Sequence, residues 1–259
     1  MAARHTASRT LLSLAFFAPF AVHAAPTSLN ELVVVGSRAP AQISQIPGSV
    51  WVVEGEELEE QFHAGQDLKT VIGKLVPSMD LAPETRTNYG QNMRGRSVLV
   101  MIDGVSLNGS RGLSRQFDSI DPFNIDRIEV LSGATAVYGG GSTGGIVNII
   151  TKKGREGEAR FSTEVGASSG FNNTEDRQFR FGQSISGGND TLKGRLAFAT
   201  KDNGAMYDGN GDAIMPDIYQ TDLQYNRSRD VMGSTQVRIN ENQNIDLTAQ
   251  LYNSGYRGN

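Results

Sequence analysis

Two hydrophobic rhythms divide this chain. Between Ser49 and Gly154, apolar residues come in solid runs or at helical spacing. Ser49 to Val53 reads as a strand, and Glu54 to Glu60 as an acidic helix start. Leu68, Val71, Ile72 and Leu75 lie at i, i+3, i+4 and i+7, which predicts a helix over Asp67 to Val76 with Pro77 as its stop. Val98-Leu99-Val100-Met101-Ile102 has no polar alternate, as a strand buried on both faces requires, and the turn pair Asp103-Gly104 ends it. Ile128 to Leu131 and Ile146 to Thr151 read as further strands, separated by the Gly-rich turn region Gly139 to Gly145. Lys152-Lys153-Gly154 closes a compact unit of mixed α and β structure.

After about residue 158 the period changes to two. In Leu192-Lys193-Gly194-Arg195-Leu196-Ala197-Phe198, one face carries Leu192, Leu196 and Phe198, and the other carries Lys193 and Arg195. Gln178-Phe179-Arg180-Phe181 and Gln236-Val237-Arg238-Ile239 repeat the alternation. Gly187-Gly188-Asn189-Asp190 is a tight turn, whereas Asp202 to Asp217 is a long polar loop. About six antiparallel strands with alternating short turns and long loops fit the wall of an outer-membrane barrel, apolar outside and polar inside. A soluble β-sandwich also alternates. About six strands fall short of the roughly eight that the smallest membrane barrel needs, so the chain is expected to carry only part of a wall.

The N-terminus adds an address. Arg4 and Arg9 precede an apolar run from Leu11 to Val22, and Val22-His23-Ala24 supplies small residues where a signal peptidase cuts. Residues 1–24 therefore read as a signal peptide. Residues 25–48 read as an extended arm, punctuated by Pro26, Pro40 and Pro47, with one apolar patch. No later stretch is long and apolar enough for a transmembrane helix. A net charge of −4 gives no general attraction to nucleic acid, and the absence of Cys removes disulfides and thiolate metal sites.

Motifs for catalysis or cofactors fail on inspection. The glycines of Gly139 to Gly145 lack the Gly-Lys-Ser/Thr ending of a phosphate loop, and a strand follows them. Asp208, Asn210 and Asp212 imitate the start of a calcium loop, but Ala213 and Tyr219 stand where Gly and Glu are needed. The three His residues are scattered, and no acid–base pair is placed for catalysis. The expectation is no metal site, no bound cofactor and no enzyme activity.

Four ordered stretches carry a family resemblance. Met93-Arg94-Gly95-Arg96, Val100 to Val105, Ile128 to Gly139 and Gly144 to Gly154 resemble the plug-domain motifs of TonB-dependent outer-membrane siderophore receptors. Arg86 to Gly90, Asp118 to Asp126 and Tyr207 to Asp212 are similar to receptors for ferric citrate-hydroxamate siderophores of the aerobactin kind. One departure stands out: Ser132-Gly133-Ala134 replaces the Arg-Gly-Pro found in many members, so the anchoring role of that Arg does not transfer.

The resemblance implies an α+β plug domain, a small mixed sheet with short helices, over 49–154. The first antiparallel strands of an incomplete transmembrane β-barrel follow over 155–259, and the arm 25–48 carries a TonB box at Glu31, Leu32, Val33, Val34 and Val35. It also implies Arg94 as a lock between plug and barrel. Ligand contact is expected from two plug loops, Arg86, Asn88 and Tyr89 in one and Asn108, Ser110, Arg111 and Arg115 in the other, because guanidinium forks suit an anionic, oxygen-rich ligand. The expected partners are TonB with its inner-membrane energising complex, the ferric siderophore as cargo, and outer-membrane lipid of a Gram-negative cell, with no nucleic acid. The competing reading is a soluble periplasmic or secreted module that binds ligand without transport.

Overall fold

The computed structural model describes residues 32–33, 41–42, 48–81, 85–109, 114–135, 138, 140–216 and 223–256. The expected signal peptide, Glu31, Val34, Val35, Ser110 and Arg111 lie outside them. The first described strands are β1 (Leu32–Val33) and β2 (Ala41–Gln42), a two-residue antiparallel pair. Leu32 and Val33 of the expected TonB box therefore have their backbone paired to residues 41–42.

The compact unit follows. β3 (Ser49–Glu54) leads into α1 (Gly55–His63) and α2 (Leu68–Leu75). Then come β4 (Val98–Ile102), β5 (Val105–Ser106), β6 (Ile125–Ser132) and β7 (Gly145–Thr151), in the sheet order β3-β6-β7-β4-β5. The β4/β7 pair is parallel and the other pairs are antiparallel, which makes the sheet mixed. Asp67 caps α2, its Oδ1 accepting from the Thr70 N–H at 2.9 Å, as the spacing of a helix start requires.

Helical periodicity fills the core. Leu58 and Phe62 of α1 and Leu68, Val71 and Ile72 of α2 pack on Val98, Val100, Ile128, Val130, Val147 and Ile149 of the sheet. Each such side chain contributes about 1.5–3 kcal/mol by leaving water. α1 runs three residues past the expected Glu60 because Phe62, four positions after Leu58, extends the same buried face. The Gly-rich stretch serves packing: Gly145 sits at φ +154°, where a Cβ would collide with the Leu131 carbonyl oxygen.

The second sheet is a simple meander. β8 (Gly157–Ser168), β9 (Gln178–Gly188), β10 (Leu192–Asn203), β11 (Asn226–Asn240) and β12 (Gln243–Tyr256) pair in chain order, all antiparallel. The strands are five among the described residues, not six, and they run well past the short alternating motifs that announce them. Tight turns join β9 to β10 and β11 to β12 at one end. Residues 169–177, and 204–216 with 223–225, lie in long loops at the other. In the first turn the Asn189 side chain accepts from the N–H groups of Thr191 and Leu192.

This sheet is inside-out relative to a soluble one. The registers place Phe161, Ile185 and Leu196 in one outward row, and Phe198, Val231 and Leu251 in the next. Phe161 is 72% exposed, Leu247 60% and Leu251 77%. The alternate positions point inward and are mostly polar or small: Arg195, Ser228, Asp230 and Ser234 are buried, together with Ala197, Ala199 and Met232. A two-sheet sandwich would have buried the apolar face and wetted the polar one.

Candidate functional site

The plug-like unit meets the inner face of β10–β12 along a polar seam. At its long-loop end the Arg86 Nε donates to Asp118 Oδ2 at 2.9 Å, and Nη2 donates to the Ser254 carbonyl and hydroxyl at 3.0 and 2.8 Å. The Tyr252 hydroxyl donates to Asp118 Oδ1 at 3.0 Å. Midway, Asp230 Oδ2 accepts from the Asp121 N–H at 2.8 Å and from the Asn124 amide at 3.1 Å, while Gln250 Nε2 bridges Asp230 and the Ser119 carbonyl. Below that, Arg195 Nη1 donates to Asn124 Oδ1 at 2.8 Å, and Lys153 Nζ joins Thr248 to Asp103. Gly182 lets the wall approach closely, since a Cβ there would stand 2.6 Å from the Phe123 ring.

The chain forms this seam for local reasons. Asp121 accepts from the Phe123 N–H and starts the short 3₁₀ turn Pro122–Asn124, with Pro at the first position, where no N–H is needed. That turn aims Phe123 and Asn124 at the wall. Burial pushes the Asp121 carboxyl up from 3.8 to about 6. The Phe123 N–H opposes the rise, the charge of Asp230 adds to it, and Lys201 opposes it again.

The expected ligand residues separate into two sets. Thr87 Oγ1 donates to the Ser114 carbonyl at 2.8 Å and the Asn88 N–H donates to the same oxygen at 2.6 Å, so the two loops do meet. Tyr89, 75% exposed, and the exposed Arg115 face solvent at this junction. Arg86 is only 7% exposed and its guanidinium is taken by Asp118 and Ser254, which makes it a tie between plug and wall. Asn88 is fully buried. Asn108 is turned back on β4, its amide donating to the Val98 carbonyl and accepting from the Val100 N–H, both at 3.0 Å, in place of a strand partner. Arg94 lies in the tight turn Met93–Arg96 at φ +52°, exposed, with no ion pair among the described residues.

Sequence reasoning missed the wall's half of the seam. Arg195, Asp230, Gln250, Tyr252 and Ser254 were legible only as polar positions in alternating strands. The usable signal was phase: Gln250, Tyr252 and Ser254 alternate with Leu251 and Asn253, and that phase points at the plug.

Residues 42–146 match the family described as the TonB-dependent Receptor Plug Domain. The chain is 46% identical over 228 residues to the ferric aerobactin receptor of Klebsiella pneumoniae, covering 88% of this chain and 31% of that protein. Residues 42–146 are thus a plug domain of the TonB-dependent receptors. It is also 44% identical over 233 residues to the rhizobactin receptor of Rhizobium meliloti, covering 89% of this chain and 31% of that one. Among solved structures, the siderophore receptor PirA from Pseudomonas aeruginosa superposes with a TM-score of 0.52 at 23% identity, over 82% of this chain and 36% of PirA, a likeness of fold. The chain thus spans about a third of the receptors it matches (31% of each of the two relatives). The plug domain is the α/β unit, and the antiparallel strands β8–β12, here called the wall, follow it.

Proposed function

We propose that this chain is the plug and the first wall strands of a receptor that takes a ferric citrate-hydroxamate siderophore across the outer membrane by TonB-dependent uptake. The observation that carries the reading is the inverted sheet: its apolar face stands open and its polar face is buried on the plug. Only a hydrocarbon surround makes that arrangement favourable. The similarity to receptors named for aerobactin and rhizobactin supports the ligand class.

In this reading the ligand settles at the long-loop end against Tyr89 and Arg115, with Ser110 and Arg111 in the same loop. An extended, acceptor-rich anion suits guanidinium and phenol donors. Arg86 and Asp118 hold that loop pair to β12, so they position the site without touching cargo. The box Glu31 to Val35 recruits TonB by adding a strand to a partner sheet. Arg94 anchors the plug to the remaining wall. Residues 1–24 direct export. A soluble ligand-binding module would leave Phe161, Leu196, Leu247 and Leu251 in water, and nothing favours it.

The test uses the full-length receptor in a Gram-negative strain lacking its own siderophore receptors. Uptake of radiolabelled ferric aerobactin should appear with the wild type. Deleting Val33 to Val35 should abolish uptake while surface binding persists. Undiminished uptake in that deletion removes the TonB-box assignment; no binding by the wild type removes the ligand assignment.

A further inference from the structure

One wall cation stands in the seam without a bond of its own. Lys201 lies on the inward phase of β10, in the cross-strand row Lys201, Ser228, Ser254. Ser254, at the far end of that row, is where Arg86 is tied. Two strand spacings, about 10 Å, separate it from Lys201. A cavity of about 60 Å³ lies against the row, lined by Lys201 and Ser228 from the wall and by Asp67, Arg86, Asp118 and Asp121 from the plug. Carboxylates from three plug segments thus face one wall ammonium.

The joint is half satisfied. Asp118 has a full set of donors: Arg86 and the Ser254 hydroxyl on Oδ2, and Tyr252 on Oδ1. Asp67 caps α2 with one oxygen and holds the other 3.8 Å from Lys69 Nζ. Asp121 accepts from the Phe123 N–H. Lys201 has no hydrogen bond or ion pair among the described residues. Its attraction is strongest to Asp67, then to Asp121, and weakest to Asp118, against repulsion from Arg180. Asn203 and Asn226, 4% and 5% exposed, line the same cavity, and Asn203 Oδ1 and Asn226 Nδ2 have no partner.

Unpartnered buried groups beside an opening mark a joint that a second arrangement can satisfy. The cavity has room for about two water molecules, and a lysine ammonium on its four-carbon stem can swing through such a space. Anionic cargo supplies a reason to swing. Seated at Tyr89 and Arg115, it pulls on the Arg86 guanidinium and repels the Asp118 carboxylate. Parting that pair strands a partly buried carboxylate unless another cation arrives. Lys69 is taken by Asp67, which leaves Lys201.

We infer that Asp118 exchanges cations when cargo binds, passing from Arg86 beside β12 to Lys201 on β10, so that the seam stays tied while the loop pair engages the ligand. This rests on the reading of Tyr89 and Arg115 as the cargo site. Lys201 is a positioning residue and stands apart from the cargo.

The test is carbodiimide coupling of the full-length receptor in vesicles, which joins an amine to a carboxylate only where the two touch. Coupled peptides are identified by mass spectrometry. In empty wild type, Lys201 should couple to Asp67 or Asp121. With ferric aerobactin bound, its coupling to Asp118 should rise at least about tenfold, since leaving a charged acceptor unpaired is worth that factor. Arg86→Ala should give the Asp118 product without cargo. Protease cleavage within 49–151 is the second readout. Lys201→Met should be cleaved about tenfold faster loaded than empty, and Lys201→Arg should behave as wild type in both states. An Asp118 product that fails to rise in Arg86→Ala, or in wild type shown to bind cargo, overturns the exchange. Equal cleavage of loaded and empty Lys201→Met overturns it as well. Wild type that binds no ferric aerobactin overturns the ligand reading and the cargo trigger with it, and Arg86→Ala then decides the exchange alone.

Discussion

The plug and the wall are built by opposite rules. In the plug, Val98, Val100, Ile128, Val147 and Ile149 are at or near zero exposure, and the buried Glu129 is paired with Arg127. In the wall, Leu196, Leu247 and Leu251 are exposed while Asp230 is fully buried. On the proposed receptor reading, one chain can follow both rules because it faces two solvents. Water organises the plug around an apolar centre, and lipid organises the wall around a polar one. The boundary is the seam, where polar wall residues serve as the plug's missing solvent.

The sharpest way to break the contrast is one acidic substitution placed in the plug and one basic substitution in the wall, both in the full-length receptor. Ile149→Asp buries an unpaired carboxylate in the plug core and should cost more than about 4 kcal/mol, enough to leave the plug unfolded. The readout is protease cleavage within 49–151 in an otherwise inserted receptor. A plug that stays resistant would mean this core is more open to water than its packing implies. Leu196→Arg should cost about 2–4 kcal/mol if that row sits near mid-bilayer. The measure is the midpoint of reversible unfolding from vesicles. In a water-facing sheet the same change would be almost neutral, so a null effect would break the contrast from the other side.

How much of this was readable from residues alone depends on the range of the interactions. The strand Val98–Ile102 was legible to the residue because burial on both faces leaves an unbroken apolar run. The helix at Leu68–Leu75 was legible from its period and from Asp67 before it. β5 was not, because Val105-Ser106 is too short to have a rhythm and exists only as an edge partner of β4. β6 starts at Ile125, three residues ahead of the run Ile128 to Leu131, because its first turns are held by Asn124 and Thr151. The candidate site was half legible. Tyr89 and Arg115 face solvent as their loop chemistry suggests. Arg86 carries the same chemistry, but its partners are 32 and 168 residues away, and no local pattern announces Asp118 or Ser254.

The seam itself predicts a pH dependence smaller than either core effect. Asp121 has its carboxyl raised to about 6 by burial, against 3.8 in the unfolded chain. A raised acid favours the protonated native state, so its stabilising effect is complete below about pH 4 and is lost as pH climbs through about 6. The loss is at most about 3 kcal/mol, since each tenfold change in proton affinity between the folded and unfolded chain is worth about 1.4 kcal/mol. Asp121→Asn keeps an oxygen for the Phe123 N–H and should remove this slope. Urea unfolding of the plug between pH 4 and 7 checks it. A slope that survives in the variant would assign the titration to another group.

The finest cut removes a single atom. In Tyr252→Phe the ring stays between plug and wall, and only the hydroxyl that donates to Asp118 Oδ1 at 3.0 Å is lost. Asp118 keeps Arg86 and the Ser254 hydroxyl as partners, so no buried charge is stranded. The cost should therefore be that of one ordinary hydrogen bond to a charged acceptor, about 1–2 kcal/mol. Arg86→Ala by contrast takes away the cation as well and should cost more than Tyr252→Phe in the same melt. If Tyr252→Phe were the costlier of the two, the long-loop end of the seam would be held by the wall's tyrosine rather than by the plug's arginine. The plug and the wall would then meet through a contact that the wall supplies.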